Sequence, residues 1–280
     1  MSAISSRRIV ASPLAWLAWG FVGFFLVFML ALIAAVVVNS LGTRWLDDWL
    51  PDAFTTHWYG DAWREFGLTS VMLVTVEIAA AVVALSLLIG VPASYALARR
   101  DFPGRRVVML AFLIPLLLPP VTYGIPLATV LLRHDLGGTL TGVILANLVP
   151  SVPFVILTMT PFIEQIDPRI EAAARTLGAG TTTIFVRILG PLLVPGMLAA
   201  GLLVLVRTVG MFELSFFTAG PGSQPLVVVL YYAAFAPGVR ASQSIDAMAV
   251  IYMGLMLMLL VAALSFVNPT NLVARLRENP

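Results

Sequence analysis

Cysteine is absent from this 280-residue chain, and so is lysine: all 16 basic residues are arginine. Without cysteine there is no disulfide framework, no thiolate nucleophile and no Cys-ligated metal or cluster. Without lysine a phosphate-binding loop of the GxxxxGKS/T kind cannot be built, so the chain is not itself a P-loop ATPase. Charge of either sign is scarce, at 11% of residues, against roughly 25% in soluble globular domains. With 60% hydrophobic residues and a mean hydropathy of +1.00, the composition excludes a water-soluble domain and intrinsic disorder alike. The two histidines, His57 and His134, fall in polar segments, and no HExxH, GxSxG or paired aspartates occur within apolar runs. A metal site or hydrolase inside the membrane is therefore not expected. The net charge of +2 is too small to argue for nucleic acid.

What the chain does have is apolar length. A membrane-spanning helix needs about 20 apolar residues, and six stretches supply them, near 14–38, 68–98, 107–132, 139–161, 191–216 and 246–267. The expected fold is all-α and polytopic, with six transmembrane helices. The connections separate by charge. Eleven arginines (7, 8, 99, 100, 105, 106, 169, 175, 187, 275 and 277) fall on one side and four (44, 64, 133 and 240) on the other, with Arg207 inside the fifth span. Positive charge marks the cytoplasmic side. Both termini are then cytoplasmic, as an even number of spans requires. The resulting segments are a cytoplasmic tail at 1–13, a first helix at 14–38, an outer loop at 39–67, a five-helix core at 68–268 and a cytoplasmic tail at 269–280. Arg7-Arg8 reads as a topogenic pair before an uncleaved helix, since the apolar run is too long for a signal peptide and has no small-residue cleavage site.

The outer loop mixes Trp45, Trp49, Trp58, Tyr59 and Trp63 with Asp47, Asp48, Asp52 and Asp61. Interfacial aromatics of this kind predict a short amphipathic helix at the membrane surface.

The loop at 164–190 is the most informative polar stretch. Asp167 suits an N-cap and Pro168 the first helical position. Glu171 falls in the first turn, where the helix dipole favours an anion, and Gly178 suits a left-handed stop. Ile170, Ala173, Ala174 and Leu177 share one face. A helix this short is marginal alone and needs a groove to receive that face. A plain amphipathic connector is the alternative reading. Ala173-Ala174-Arg175-Thr176-Leu177-Gly178-Ala179, continued by Phe185, Ile188, Pro191, Pro195 and Gly196, resembles the EAA signature of binding-protein-dependent ABC importer permeases, the MetI-type transmembrane subunits. The signature glutamate position is Ala172, with Glu171 one residue earlier, and Gly190 stands where leucine precedes the terminal proline. The resemblance extends from about residue 54 onward. Thr56-His57-Trp58-Tyr59, Ala93-Ser94-Tyr95-Ala96-Leu97-Ala98-Arg99 and the proline-rich run from Leu113 to Pro120 look like the spermidine/putrescine-type branch, which also has phosphonate, opine and ferric-iron relatives.

That resemblance implies a permease subunit in the bacterial cytoplasmic membrane. It implies ATP and Mg held by separate ATPase subunits, a second permease that is paralogous or identical, and an extracytoplasmic solute-binding protein. This chain would bind no cofactor and no metal. Glu171, Ala172, Ala173, Ala174, Leu177, Gly178 and Ala179 would dock to the ATPase, with the signature carboxylate's contact either lost or taken over by Glu171.

Ionisable residues within spans are expensive and point to function. Glu77 lies about nine residues, hence about 14 Å, into the second span. Arg207 lies at similar depth in the fifth, so the two are expected to pair. Tyr123, Asn147, Glu213, Phe212, Phe216 and Phe217 are candidates for the translocation path, although ordinary helix packing is the alternative for each. An acidic, aromatic lining would suit an amine cation through cation–π contact, as a polyamine requires, whereas an exposed Arg207 would suit an anion. A gradient-driven secondary transporter is the competing class. It is disfavoured because the 164–190 loop has no counterpart in the other half of the chain.

Overall fold

The computed structural model describes residues 13–45, 50–236 and 240–266. The predicted tails, apart from Pro13, lie outside the described residues, as do Asp47, Asp48 and Trp49. The described residues are helical throughout, apart from turns and two isolated backbone bridges. They fall into two compact units, Met1–Ala62 with Val239–Val250, and Trp63–Gly238 with Ile251–Pro280.

The first unit holds α1 (Pro13–Leu41), the loop after it, most of α2 (His57–Glu65) and the start of α12 (Ser242–Phe266). The most apolar 18 residues of the span at Ala15–Leu41 have a mean hydropathy of 3.1, and none of those 18 is buried. Such a surface is stable only against lipid or another apolar protein. At its far end Trp45 Nε1 donates to Asn39 Oδ1 at 2.7 Å, and Asn39 Nδ2 donates in turn to Asp246. Trp58 Nε1 donates to the Gly42 carbonyl at 2.7 Å, and the Tyr59 hydroxyl lies 2.8 Å from Ser40 Oγ. The tryptophans thus act as hydrogen-bond donors that tie the loop down, and α2 is the short helix expected there.

The second unit is centred on α3 (Leu68–Arg99) crossing α6 (Leu140–Glu164), with α9 (Gly190–Gly210) packed on both. Gly90 of α3 sits directly on Val155 of α6. Ile78, Val82, Val143, Met159, Leu193, Ala200 and Val204 complete a dry core. Polar side chains in these helices bond back to their own backbone, as Thr75, Ser86, Ser94 and Thr160 do. That satisfies them where no water can.

Three departures from the expected spans have clear causes. The third span is not one rod. It is α4 (Arg105–Leu117) and α5 (Pro120–Arg133), bent by 96°. Pro119 and Pro120 remove two consecutive N–H donors, and Leu118, as the residue before proline, is extended at φ −78°, ψ 138°. By contrast Pro150, Pro153 and Pro161 sit inside an unbroken α6, as helices within a membrane bundle tolerate. The fifth span ends at Gly210 rather than 216. Met211 turns extended at ψ 95°, and α10 (Phe212–Thr218) follows as a separate short helix. Finally, α11 (Leu226–Phe235) is an apolar helix with no counterpart among the expected spans. At 1.5 Å per residue it reaches about 15 Å, half a bilayer core. Its first N–H is capped from α3, where Thr75 Oγ1 accepts from Leu226 N at 2.8 Å.

The connection from α6 to α9 contains α7 (Pro168–Thr176), a single turn α8 (Thr181–Thr183) and a six-residue π turn over Ile184–Leu189.

Candidate functional site

Helix α7 starts as its sequence dictates. Asp167 Oδ1 accepts from Arg169 N at 2.9 Å, Pro168 occupies the first turn, and Gly178 stops the helix at φ +84°. The Gly178 N–H closes on the Arg175 carbonyl, and Ala179 N donates to Ala174 O.

The faces differ from expectation. Ala174 turns inward and is 8% exposed, whereas Ile170, Ala172, Ala173 and Leu177 are open to solvent, Leu177 at 88%. Sequence reasoning places Glu171 among the docking residues. The structure turns it into the chain, at 4% exposure. Arg99 Nε donates to its Oε1 at 2.7 Å and the Tyr95 hydroxyl to its Oε2 at 2.6 Å. The other arm of Arg99, Nη2, donates to the Ile166 carbonyl at 2.7 Å. The reason is angular: successive helical residues point about 100° apart. If Ala172 faces out, Glu171 shares the inner face with Ala174. What remains outside is a small apolar patch of Ile170, Ala173 and Leu177 with Gly178 beside it, and a Cβ added at Gly178 would meet nothing within 4 Å.

The candidates for the translocation path separate. Glu77 is exposed on α3 and makes no ion pair with Arg207 among the described residues. The expected pairing is therefore not formed: it assumed a fifth span running to 216, whereas α9 ends at Gly210 and leaves Arg207 in its last turn, with Glu77 well inside α3. Arg207 is half-buried, with its guanidinium 6.0 Å from the centre of the Phe154 ring. Tyr123 lies within electrostatic reach of both Arg207 and Glu213, and its hydroxyl is buried without a hydrogen-bond partner among the described residues. Tyr123 of α5 thus has Arg207 and Glu213 near it, and α5 packs on α10. Asn147 is different. It is 1% exposed, and its Nδ2 donates to the Val143 carbonyl at 2.9 Å and lies 3.4 Å from Ser215 Oγ. It ties α6 to α10 and does not line a path in this arrangement.

Two groups escaped sequence reasoning. Tyr95 and Arg99 stand one helical turn apart at the end of α3, a spacing that puts both on one face. Tyr231, Tyr232 and Phe235 of α11 join Phe212 and Phe216 in a continuous aromatic shelf, with ring centres 4.8–6.0 Å apart. Proline before ten apolar residues was the available signal for that helix.

A multi-pass helical bundle with a capped surface helix between two spans is the architecture of a polytopic membrane protein. Residues 86–277 match the family described as "binding-protein-dependent transport system inner membrane component", and the chain belongs to that family. Members of that family are inner-membrane components of binding-protein-dependent transport systems, as the family's description states. It is 35% identical over 133 residues to a probable sulfate transport system permease protein of Nephroselmis olivacea, covering 43% of this chain and 47% of that one. It is 32% identical over 180 residues to a molybdate/tungstate transport system permease protein of Pyrococcus abyssi, covering 64% and 70%. It is 28% identical over 157 residues to a trehalose transport system permease protein of Mycobacterium tuberculosis, covering 56% and 57%. The chain thus spans about half the length of several curated relatives it matches. Among solved structures, a bacterial ABC transporter that imports the acidic polysaccharide alginate shares the fold, with a TM-score of 0.70 at 21% identity over 89% of this chain and 95% of that one. The MetNI methionine transporter follows with a TM-score of 0.57 at 20% identity, covering 72% and 95%. The solutes these proteins are named for are inorganic oxyanions, a sugar, alginate and methionine, so the polyamine expectation gains no support from them.

Proposed function

We propose that this permease forms half of a translocation path for a small inorganic oxyanion of the sulfate, molybdate or tungstate kind. The solute would be delivered by an extracytoplasmic binding protein and driven by separate cytoplasmic ATPase subunits that hold ATP and Mg. A second permease, most simply a paralogue, supplies the other half. The observation that carries the substrate class is Arg207, a guanidinium within a membrane helix that has no carboxylate partner among the described residues. An ionisable side chain within an apolar helix points to function, and Arg207 stands in the last turn of α9 near Glu213 without an ion pair to it among the described residues. A passing anion provides both a reason for it and a use, and the nearby Tyr123 hydroxyl is a spare donor. The oxyanion relatives support the same reading. The outward patch of Ile170, Ala173 and Leu177 is the surface offered to an ATPase groove.

The test is to purify the tagged chain in mild detergent with its associated proteins, reconstitute the complex, and measure ATP-driven uptake. Molybdate, tungstate and sulfate are compared with trehalose and spermidine. Oxyanion uptake is expected, reduced at least about tenfold by Arg207→Gln, since a charge-assisted hydrogen bond is worth about 1.5–3 kcal/mol. Uptake of spermidine or trehalose alone, or oxyanion uptake indifferent to Arg207→Gln, refutes the substrate class.

A further inference from the structure

The inward turn of Glu171 gives it a role other than touching the ATPase. Helix α7 has nine residues, and its buried side chains are Glu171 and Ala174. One alanine methyl cannot hold a helix of that length to the bundle. The attachment is ionic instead. Both carboxylate oxygens of Glu171 are taken, Oε1 by Arg99 and Oε2 by Tyr95. Arg175 of the same helix adds a looser contact at 3.8 Å. Arg99, only 12% exposed at its side chain, spends its second arm on the Ile166 carbonyl, in the turn that leads from α6 into α7. The Tyr95 ring meets Phe185 edge-on, with centres 5.4 Å apart, and Phe185 belongs to the π turn that feeds α9. Two side chains on the last turns of α3 therefore touch the end of α6, α7 and the start of α9 together.

We propose that Tyr95, Arg99 and Glu171 form an internal clamp that fixes the docking helix to α3, making them positioning residues for the transmission of force from the ATPase. The proposal rests on the permease reading for its functional half only. An exposed helix held by apolar contact alone would slide under load. A buried carboxylate gripped by a guanidinium and a phenol resists displacement, because in a low-dielectric site breaking such a set leaves an uncompensated charge. The clamp also accounts for the departure from the family signature. With Ala172 on the outer face, no carboxylate is presented to the ATPase by this helix, and the neighbouring carboxylate serves inside.

The test uses the full complex and two readouts. Hydrogen exchange of the 169–176 amides reports whether the helix is held. ATP hydrolysed per solute imported reports whether motion is transmitted. Glu171→Gln and Arg99→Gln are each expected to accelerate exchange over 169–176 at least about tenfold, as loss of a buried charge pair implies, while α6 and α9 peptides stay unchanged. Tyr95→Phe is expected to accelerate it about threefold, the loss of one hydrogen bond. The double variant Arg99→Gln/Glu171→Gln should be no worse than the worse single, and hydrolysis should continue while uptake falls. Unchanged exchange overturns the clamp. Faster exchange with an unchanged ATP-to-solute ratio overturns the positioning role. If the chain recruits no ATPase, the permease reading fails, and the exchange measurement still supports or overturns the clamp by itself.

Discussion

Replacing Gly90 with alanine probes the crossing on which the bundle is built. A methyl group at Gly90 would lie 2.6 Å from Val155 Cγ1 and 2.8 Å from Val155 Cβ. Carbon atoms pack at about 3.5–4.0 Å. Cγ1 can swing aside by a rotamer change, but Cβ moves only with the backbone of α6. The two helices must therefore separate by about 0.7 Å or more, and a gap of that size forfeits a quarter to a half of the dispersion well at each seam contact. Val155 is fully buried, so no outward relaxation is available to it. Overpacking of this kind costs about 1–3 kcal/mol. At about 2–4 °C per kcal/mol for a chain of this size, Gly90→Ala lowers Tm by about 4–8 °C at the centre of that range. The assay is the fraction remaining soluble and monodisperse in detergent after heating. Val155→Ala does not relieve the clash, because its Cβ stays in place. In a Val155→Gly background, however, Gly90→Ala should be neutral or stabilising. Gly201→Ala is the control. Its methyl meets Leu87 Cδ1 at 3.3 Å and Val83 Cγ1 at 3.5 Å, flexible ends that can yield. A Tm for Gly90→Ala within about 1 °C of the parent, or the same loss in the Val155→Gly background, would refute this account of the crossing.

Two further substitutions separate docking from architecture. Leu177→Asp puts a charge at a side chain that is 88% exposed. Folded yield should be unchanged and ATP-driven uptake lost, with uptake and size-exclusion profile measured on the same preparation. Asn147→Ala removes a buried amide that bonds Val143 O and approaches Ser215 Oγ. It should cost about 1–3 kcal/mol, read as a lower Tm, and leave the preference among transported anions unchanged when uptake is competed.

Much of the candidate site was legible because it depends on local chemistry. Asp167, Pro168 and Gly178 predict the start and stop of α7 residue by residue, and each sits where those signals put it. The prolines at 119 and 120 were visible as a source of kinks, yet the 96° turn between α4 and α5 was not. A missing donor permits a bend, while its angle is set by what the two halves pack against. Helix α11 was missed because ten apolar residues are too few to read as a span. Its cap comes from Thr75, 151 positions earlier in the chain.

The sequence by itself determined that this chain lives in a membrane, where its long apolar runs lie, and that one polar loop forms a capped helix. Composition, length and capping act over one or two helical turns, so no partner is needed to read them. Only the tertiary structure decided which way the key side chains face. Glu171 and Ala172 are neighbours in sequence, but about 100° of helical rotation sends one to Arg99 and Tyr95 and leaves the other in solvent. Glu77 and Arg207 do not meet, since α9 ends at Gly210 and leaves Arg207 in its last turn, and Asn147 ties α6 to α10. Position along a helix follows from counting residues only once the helix ends are known. Azimuth is set by the neighbouring helix, and that is a property of the packed bundle alone.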